Sequence, residues 1–241
     1  MWTDVYSPLR IILRGAVIIL MLVFLLIPTL LCQSRYLAGM PAGRRRLGEF
    51  TLNTWSGWLC RAFGVKTRVH GDISGGPVLM VANHISWLDI LIIGGLVPIH
   101  FLSKHEVKNM PVLGWLATRA GTLYIKRGKH GSASEASSEI TSVLNQDHNS
   151  LIFAEGTTSD GHIKRFHSRM MQSAIDAHAM VQPVAIFFPQ LNTERGRTEL
   201  NPVTLFIGNT SIAESFDQIA RAPSIEAEVH FLKPISSKDK S

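Results

Sequence analysis

Charge is scarce in this chain. Of its 241 residues, 17% are charged and 46% hydrophobic, an apolar balance for a freely soluble protein. Acidic groups are the scarcer sign, 18 against 24 Lys and Arg, which leaves a net charge of +6. Such a surplus suits anionic membranes, nucleic acid or phosphorylated ligands, and does not by itself choose among them. Cysteine is nearly absent: Cys32 ends an apolar run and Cys60 lies in TWSGWLCRAFGV, which argues against a disulfide framework. No internal repeat or low-complexity tract occurs. The ten histidines are scattered, with neither H-E-x-x-H nor paired-cysteine spacing, so the sequence points to no metal centre. G-x-S-x-G is missing as well, and neither cysteine is well placed, so no protein nucleophile is expected. The length suits one domain of about 200 residues plus an appendage.

What is present begins with GAVIILMLVFLLIPTLLC, residues 15–32, a run without a charge. It is just long enough to cross a bilayer core of roughly 30 Å. A secretory signal would need a shorter core and a small-residue cleavage site, and IPTLLCQSRYLAGM offers no A-x-A. Leu31 before Cys32 also argues against a lipoprotein site. The run is therefore read as an uncleaved membrane anchor; Pro28 keeps a buried core helix open as the other reading. Arg10 and Arg14 precede it, and Arg35, Arg44, Arg45 and Arg46 follow it, which favours a cytoplasmic C-terminal side. The triplet Arg44–Arg46 is either a solvated face or a contact with lipid headgroups. EFTLNTWSGWLCRAFGV, residues 49–65, reads as an amphipathic helix with Trp55, Trp58, Leu59 and Phe63 on or near one face. That face suits either a core or the membrane interface. Residues 1–66 are thus assigned to anchor and helix, and residues 67–241 to a second unit.

From there the pattern alternates. KTRVHG, GPVLMVAN, IHFLSK, GTLYIKR, SLIFAEGT and VQPVAIFF read as strands, with TLFIGN and EAEVHFLKPI completing the set. Between them SWLDILIIGGLV, NMPVLGWLATRA, SASEASSEITSVLNQ and SRMMQSAIDAHA read as helices. Strands alternating with such helices argue for an α/β domain with a largely parallel mixed sheet flanked by helices.

The chemistry centres on VANHISWLDIL, residues 81–91. Ser86-Trp87-Leu88-Asp89 fits the S/T-x-x-D/E capping box, with Ser86 as N-cap and Asp89 reaching back toward the preceding chain. The same reach would bring Asp89 to His84, two residues before the cap. An Asp–His pair fixes the imidazole tautomer and stabilises its charged form, as a general base requires. Capping and catalysis are compatible. A base without a protein nucleophile must activate a group brought by the substrate, such as a hydroxyl. Other polar residues end strands, where open α/β sheets place their sites: Lys104, the Lys126-Arg127-Gly128 triplet, and EGTTSDG from Glu155 to Gly161. Each is an ordinary loop charge taken alone; together they suggest an anion pocket beside His84. Gly156 would let backbone N–H groups approach a ligand, and Arg127 could grip a phosphate with both arms.

These residues resemble a known family. NHISWLD resembles the N-H-x-x-x-x-D block of the glycerolipid acyltransferases of the lysophosphatidic acid acyltransferase type. GTLYIKR is similar to the second block, FAEGTTS to the third and VQPVAI to the fourth, in the family's order. The resemblance implies direct acyl transfer from acyl-CoA or acyl-ACP to a lysolipid hydroxyl, with His84 as base oriented by Asp89. It implies acceptor binding by Arg127, Glu155, Gly156 and Thr157, with Lys104 as an added contact. Acyl-CoA or acyl-ACP is then a co-substrate; no cofactor, metal or nucleic acid is implied. The setting would be an anionic membrane surface of bacterial inner-membrane type, with the catalytic domain anchored on its cytoplasmic side. Two departures stand out. Ala154 replaces a proline, and Thr158 replaces an arginine near the acceptor phosphate. The E-G-T-T-S-D-G form is similar to members that acylate lyso-ornithine lipid, whose acceptor lacks a phosphate. Lysophosphatidic acid is placed first and lyso-ornithine lipid second. A peripheral lipid-binding protein and an α/β-hydrolase-type esterase are the rival classes.

Overall fold

Val78–Ala82 is buried along its whole length, and its side chains alternate between two cores. Val78, Met80 and Ala82 enter one core, and Leu79 and Val81 the other. A strand apolar on both faces needs a helical layer on each side, and this one has both. The computed structural model describes residues 7–32, 34, 36–42, 45–111, 113–126, 131–192 and 197–238.

In chain order the first elements are α1 (Ser7–Cys32), β1 (Pro41–Ala42), β2 (Arg45–Arg46), α2 (Leu47–Ala62), β3 (Val65–His70), β4 (Val78–Ala82) and α3 (Leu88–Leu96). Then come β5 (His100–Lys104), α4 (His105–Lys108), α5 (Leu113–Arg119), β6 (Leu123–Ile125), α6 (Ser132–Asn145), β7 (Ser150–Phe153) and α7 (Gln172–Asp176). The rest is β8 (Met180–Phe187), β9 (Pro189–Asn192), β10 (Arg197–Leu200), α8 (Ile212–Arg221) and β11 (Ile225–Phe231). Seven strands form the main sheet in the order β3-β11-β8-β4-β7-β5-β6. β8, β4, β7, β5 and β6 run parallel to their neighbours; β11 joins β8 antiparallel and carries β3 parallel to itself. The expected α/β class with a largely parallel mixed sheet is what the chain forms.

One core joins Cys60 of α2, Phe63 just beyond its end, Leu88 and Ile92 of α3 and Ile219 of α8 to one face of the sheet. The other packs Ile140 and Leu144 of α6 and Ala174 of α7 on the opposite face at β4 and β7. Leu59 of α2 and Phe63 just beyond its end are buried while Trp58 stays half exposed, so the expected single face divides between two environments. Toward β11 the second face opens to solvent: Ile225, Ala227, Val229 and Phe231 are buried, and Glu226, Glu228 and His230 between them are less so. That alternation is the signature of a strand covered on one side.

Three sequence expectations are corrected. TLFIGN is no strand; Pro202–Thr204 form a single 3-10 turn and the chain then runs irregularly. The hairpin of β9 and β10 and helix α8 were not anticipated, although Ser211 and Glu214 form a complete capping box at the start of α8. SRMMQSAIDAHA is a 3-10 turn followed by the short α7 rather than one continuous helix.

The N-terminal run is helical, as expected, within α1. Among the described residues no helix is long and apolar enough to cross a membrane, so the expected spanning anchor gains no support. The side chains at positions 22–30, within the most apolar part of α1, lie outside the described residues. Nearer its start α1 is fastened to the domain. The Arg14 guanidinium donates to the carbonyls of Ile219, Ala220, Ala222 and Pro223 at 2.7–3.1 Å, where α8 ends. The first two are carbonyls that a helix leaves unpaired in its last turn, and a cation there also meets the negative end of its dipole.

Candidate active site

β4 ends at Ala82, and Asn83 extends its pairing with a side chain. Its amide donates to the Ile186 carbonyl at 2.9 Å and accepts from the Ile186 N–H at 2.7 Å. The next residue, His84, can therefore leave the sheet without abandoning a strand partner. Its Nδ1 lies 2.8 Å from Asp89 Oδ2. That same oxygen accepts the N–H groups of Ile85 at 2.8 Å and Ser86 at 3.0 Å, and Asp89 is fully buried. The expected reach-back of Asp89 is thus present, with one shift. The helix begins at Leu88 with Trp87 as its cap, and the Ser86 hydroxyl takes the Leu88 N–H at 3.4 Å.

With Nδ1 bonded to the carboxylate, the proton of neutral His84 sits on Nδ1 and the lone pair on Nε2. Phe153, the last residue of β7, stacks on the imidazole with ring centroids 3.8 Å apart and an interplanar angle of 14°. The backbone of His84 is clamped from the following loop. Its N–H reaches Glu155 Oε1 at 3.4 Å, and its carbonyl accepts the Ser159 N–H at 2.8 Å. Glu155 Oε2 takes the Lys164 N–H at 3.2 Å. Trp87 ties the other side, its indole N–H donating to Ser215 Oγ of α8 at 3.0 Å.

His84 lines a cavity of about 1210 Å³, open to the exterior, with Phe101, Leu102, Val107, Met110, Ile125 and Met170 among its apolar walls. Lys104, Gly156 and Thr157, all expected at an acceptor site, line it too. Glu155 does not: it is buried, and both oxygens brace backbone, so it is a strut under His84 rather than a group presented to the cavity. Gly156 has φ +69°, the left-handed turn that sends the loop away from β7. Arg127 lies outside the described residues. The sequence reading missed Asn83, Phe153 and Ser159 as supports; the N-H and F-x-E letters of the motif blocks already marked the first two positions. Arg165 and Arg169 line the cavity as well, and both are exposed. Thr158, in place of the family arginine, donates its hydroxyl to the Phe206 carbonyl, and Lys164 donates its ammonium to the Thr158 carbonyl at 3.0 Å.

Among the described residues no serine or cysteine side chain hydrogen-bonds to the His84 ring. An imidazole oriented by a buried carboxylate, facing an apolar cavity, can take a proton from a hydroxyl that diffuses in. A family model described as Acyltransferase matches residues 66–187. A lyso-ornithine lipid O-acyltransferase of Pseudomonas aeruginosa is 38% identical over 185 residues, which cover 76% of this chain and 69% of that protein. A 1-acyl-sn-glycerol-3-phosphate acyltransferase of Neisseria gonorrhoeae is 38% identical over 110 residues, 45% of this chain and 43% of that one. The crystal structure of the 1-acyl-sn-glycerophosphate acyltransferase PlsC of Thermotoga maritima shares the fold, with TM-score 0.65 over 99% of this chain and 88% of that chain at 19% identity. This chain belongs to the acyltransferase family. It is an enzyme that transfers acyl groups.

Proposed function

We propose that this protein moves a fatty acyl chain from an acyl thioester, acyl-CoA or acyl-ACP, to the hydroxyl of a lysolipid, and that the lysolipid is lyso-ornithine lipid. The observation that carries the reading is the 2.8 Å bond from His84 Nδ1 to Asp89 Oδ2 at the wall of the cavity. His84 Nε2 takes the acceptor hydroxyl proton as that oxygen attacks the thioester carbonyl carbon. Asp89 stabilises the imidazolium that forms. The C–S bond then breaks, the imidazolium returns its proton to the departing thiolate sulfur, and an ester and a free thiol remain. No acyl-enzyme is formed and no metal is invoked.

The sequence alone ranked lysophosphatidic acid first; two observations move lyso-ornithine lipid ahead of it. The Pseudomonas relative is matched over 76% of the chain and the Neisseria relative over 45%, at the same identity. Thr158 offers no cation where the family pattern has arginine, and its hydroxyl is engaged by Phe206. Lyso-ornithine lipid presents a carboxylate and an ammonium instead of a phosphate, so fewer cations suffice. Lys104, Arg165 and Arg169 remain at the cavity for the carboxylate or for a donor phosphate, with Arg127 expected to join them.

A membrane seat belongs to the same proposal. Along α1, Leu9, Ile12, Leu13, Ile19 and Leu20 are more than half exposed, and Trp58 of α2 adds an amphipathic ring. This apolar face, with its neighbouring arginines, suits an anionic cytoplasmic surface from which the lipid acceptor enters. The test incubates the purified protein with labelled acyl-ACP or acyl-CoA and either acceptor in parallel, beside His84→Ala. Esterified lyso-ornithine lipid that depends on His84 is expected. Preferential esterification of lysophosphatidic acid overturns the acceptor, and esterification of neither overturns the reaction.

A further inference from the structure

The uncovered face of the sheet holds a cluster that the acyl-transfer reaction does not use. β3 and β11 run parallel with His70 in register with His230. Their rings stack with centroids 4.4 Å apart and planes 11° from parallel. Glu228 lies two residues before His230 on the same face, its Oε2 3.5 Å from His230 Nε2. One ligand atom from each of the three side chains lies within 4.8 Å of the others. The nearby cations are engaged elsewhere: Lys66 and Arg68 both pair with Glu226, at 3.9 and 3.3 Å. Among the described residues, the ion-pair partner of Glu228 is His230.

We propose that His70, Glu228 and His230 bind a divalent transition-metal ion of the zinc class, which staples the edge strand β3 to β11. Two imidazole nitrogens and a carboxylate oxygen form an established zinc donor set, with a fourth position left for water. Ligand atoms about 2.0–2.2 Å from a tetrahedral ion stand roughly 3.3 Å apart, so the Glu228–His230 pair is already near its bound spacing. His70 completes the set by turning its exposed ring about its side-chain torsions, without backbone movement. The ligands come from the two ends of the α/β region, and an unfolded chain does not hold them together. Binding therefore favours the folded state in proportion to occupancy. The site is separate from the reaction, because none of the three residues lines the cavity at His84.

The test uses the full-length protein in detergent, stripped with a chelator and then titrated calorimetrically with zinc sulfate. One ion per chain is expected, with a Kd on the order of micromolar, a binding free energy ordinary for a partly exposed three-ligand site. His70→Gln and His230→Gln are each expected to weaken binding at least about tenfold, since losing even an outer partner of a metal ligand costs ~10- to 100-fold. Glu228→Gln is expected to weaken it too, while His178→Asn, altering a histidine elsewhere, leaves it unchanged. Zinc is expected to raise the thermal midpoint of the wild type but not of the His70→Gln/His230→Gln double variant, and acyl transfer by His70→Gln remains at the wild-type rate. No saturable binding by the wild type overturns the site, as does wild-type affinity in the double variant. Binding that leaves the midpoint unmoved overturns the staple.

Discussion

Two sets of residues on the cavity lining are built differently. On the His84 side the contacts are short and mostly buried: Asp89 Oδ2 carries the imidazole and two N–H groups, Glu155 and Ser159 hold the backbone, and Phe153 fixes the ring plane. Elsewhere on the lining Lys104, Arg165 and Arg169 stand exposed, at a strand end and in irregular chain. The difference teaches a division of labour. A proton-transfer group must be rigid to within a fraction of an ångström, and buried hydrogen bonds provide that. Charges that gather a mobile, solvated ligand can remain adaptable, and their attraction acts over several ångströms.

That contrast is open to direct attack. The largest expected effect comes from Asp89→Asn, which keeps the shape but removes the charge that orients the imidazole; kcat should fall on the order of 10²- to 10⁴-fold with KM little changed. A rise in KM with kcat unchanged would place Asp89 on the binding side. The double variant Arg165→Ala/Arg169→Ala should do the reverse, raising KM about tenfold and sparing kcat. Phe153→Leu removes a stacked ring worth about 0.5–1.5 kcal/mol, so kcat should fall several-fold, and a shifted pH–rate profile would separate loss of ring orientation from general loosening. If Phe153→Leu acts on KM alone, the stack belongs to substrate binding and the division is misdrawn. The smallest effect is a null one. Burial pushes the Cys60 thiol up to about 12, with nearby Arg61 opposing, so it stays protonated at neutral pH. Native alkylation at pH 8 followed by peptide mass mapping should leave Cys60 unmodified; rapid labelling would show that the core around α2 opens.

How far the sequence revealed this molecule follows from the range of each interaction. His84 and Asp89 were legible because their contact lies within one turn of chain, and the capping pattern carries its own geometry. The strand–helix alternation was legible wherever a strand is apolar on both faces, as β4 is. Glu155 was misjudged because nothing local says whether a carboxylate faces a cavity or a neighbour's backbone; its two partners come from different loops. The pairing of His70 with His230 was invisible for the same reason, being set by strand order rather than by spacing. The capping box of α8, and the strongly amphipathic run that follows it, were in plain view and passed over.

One contact described at the start of the fold extends to the reaction itself. Arg14 grips the end of α8 at Ile219–Pro223, and Ser215, within that helix's first turns, holds the indole of Trp87 beside the base. Between those two grips lie one to two turns of α8, a stiff spacer of about 6–10 Å at 1.5 Å per residue. With α1 resting on lipid as proposed, that spacer acts as a ruler. On that proposal it sets the height of His84 above the bilayer surface, and would favour acceptors whose hydroxyl can rise to that level while their tails remain among the other lipids.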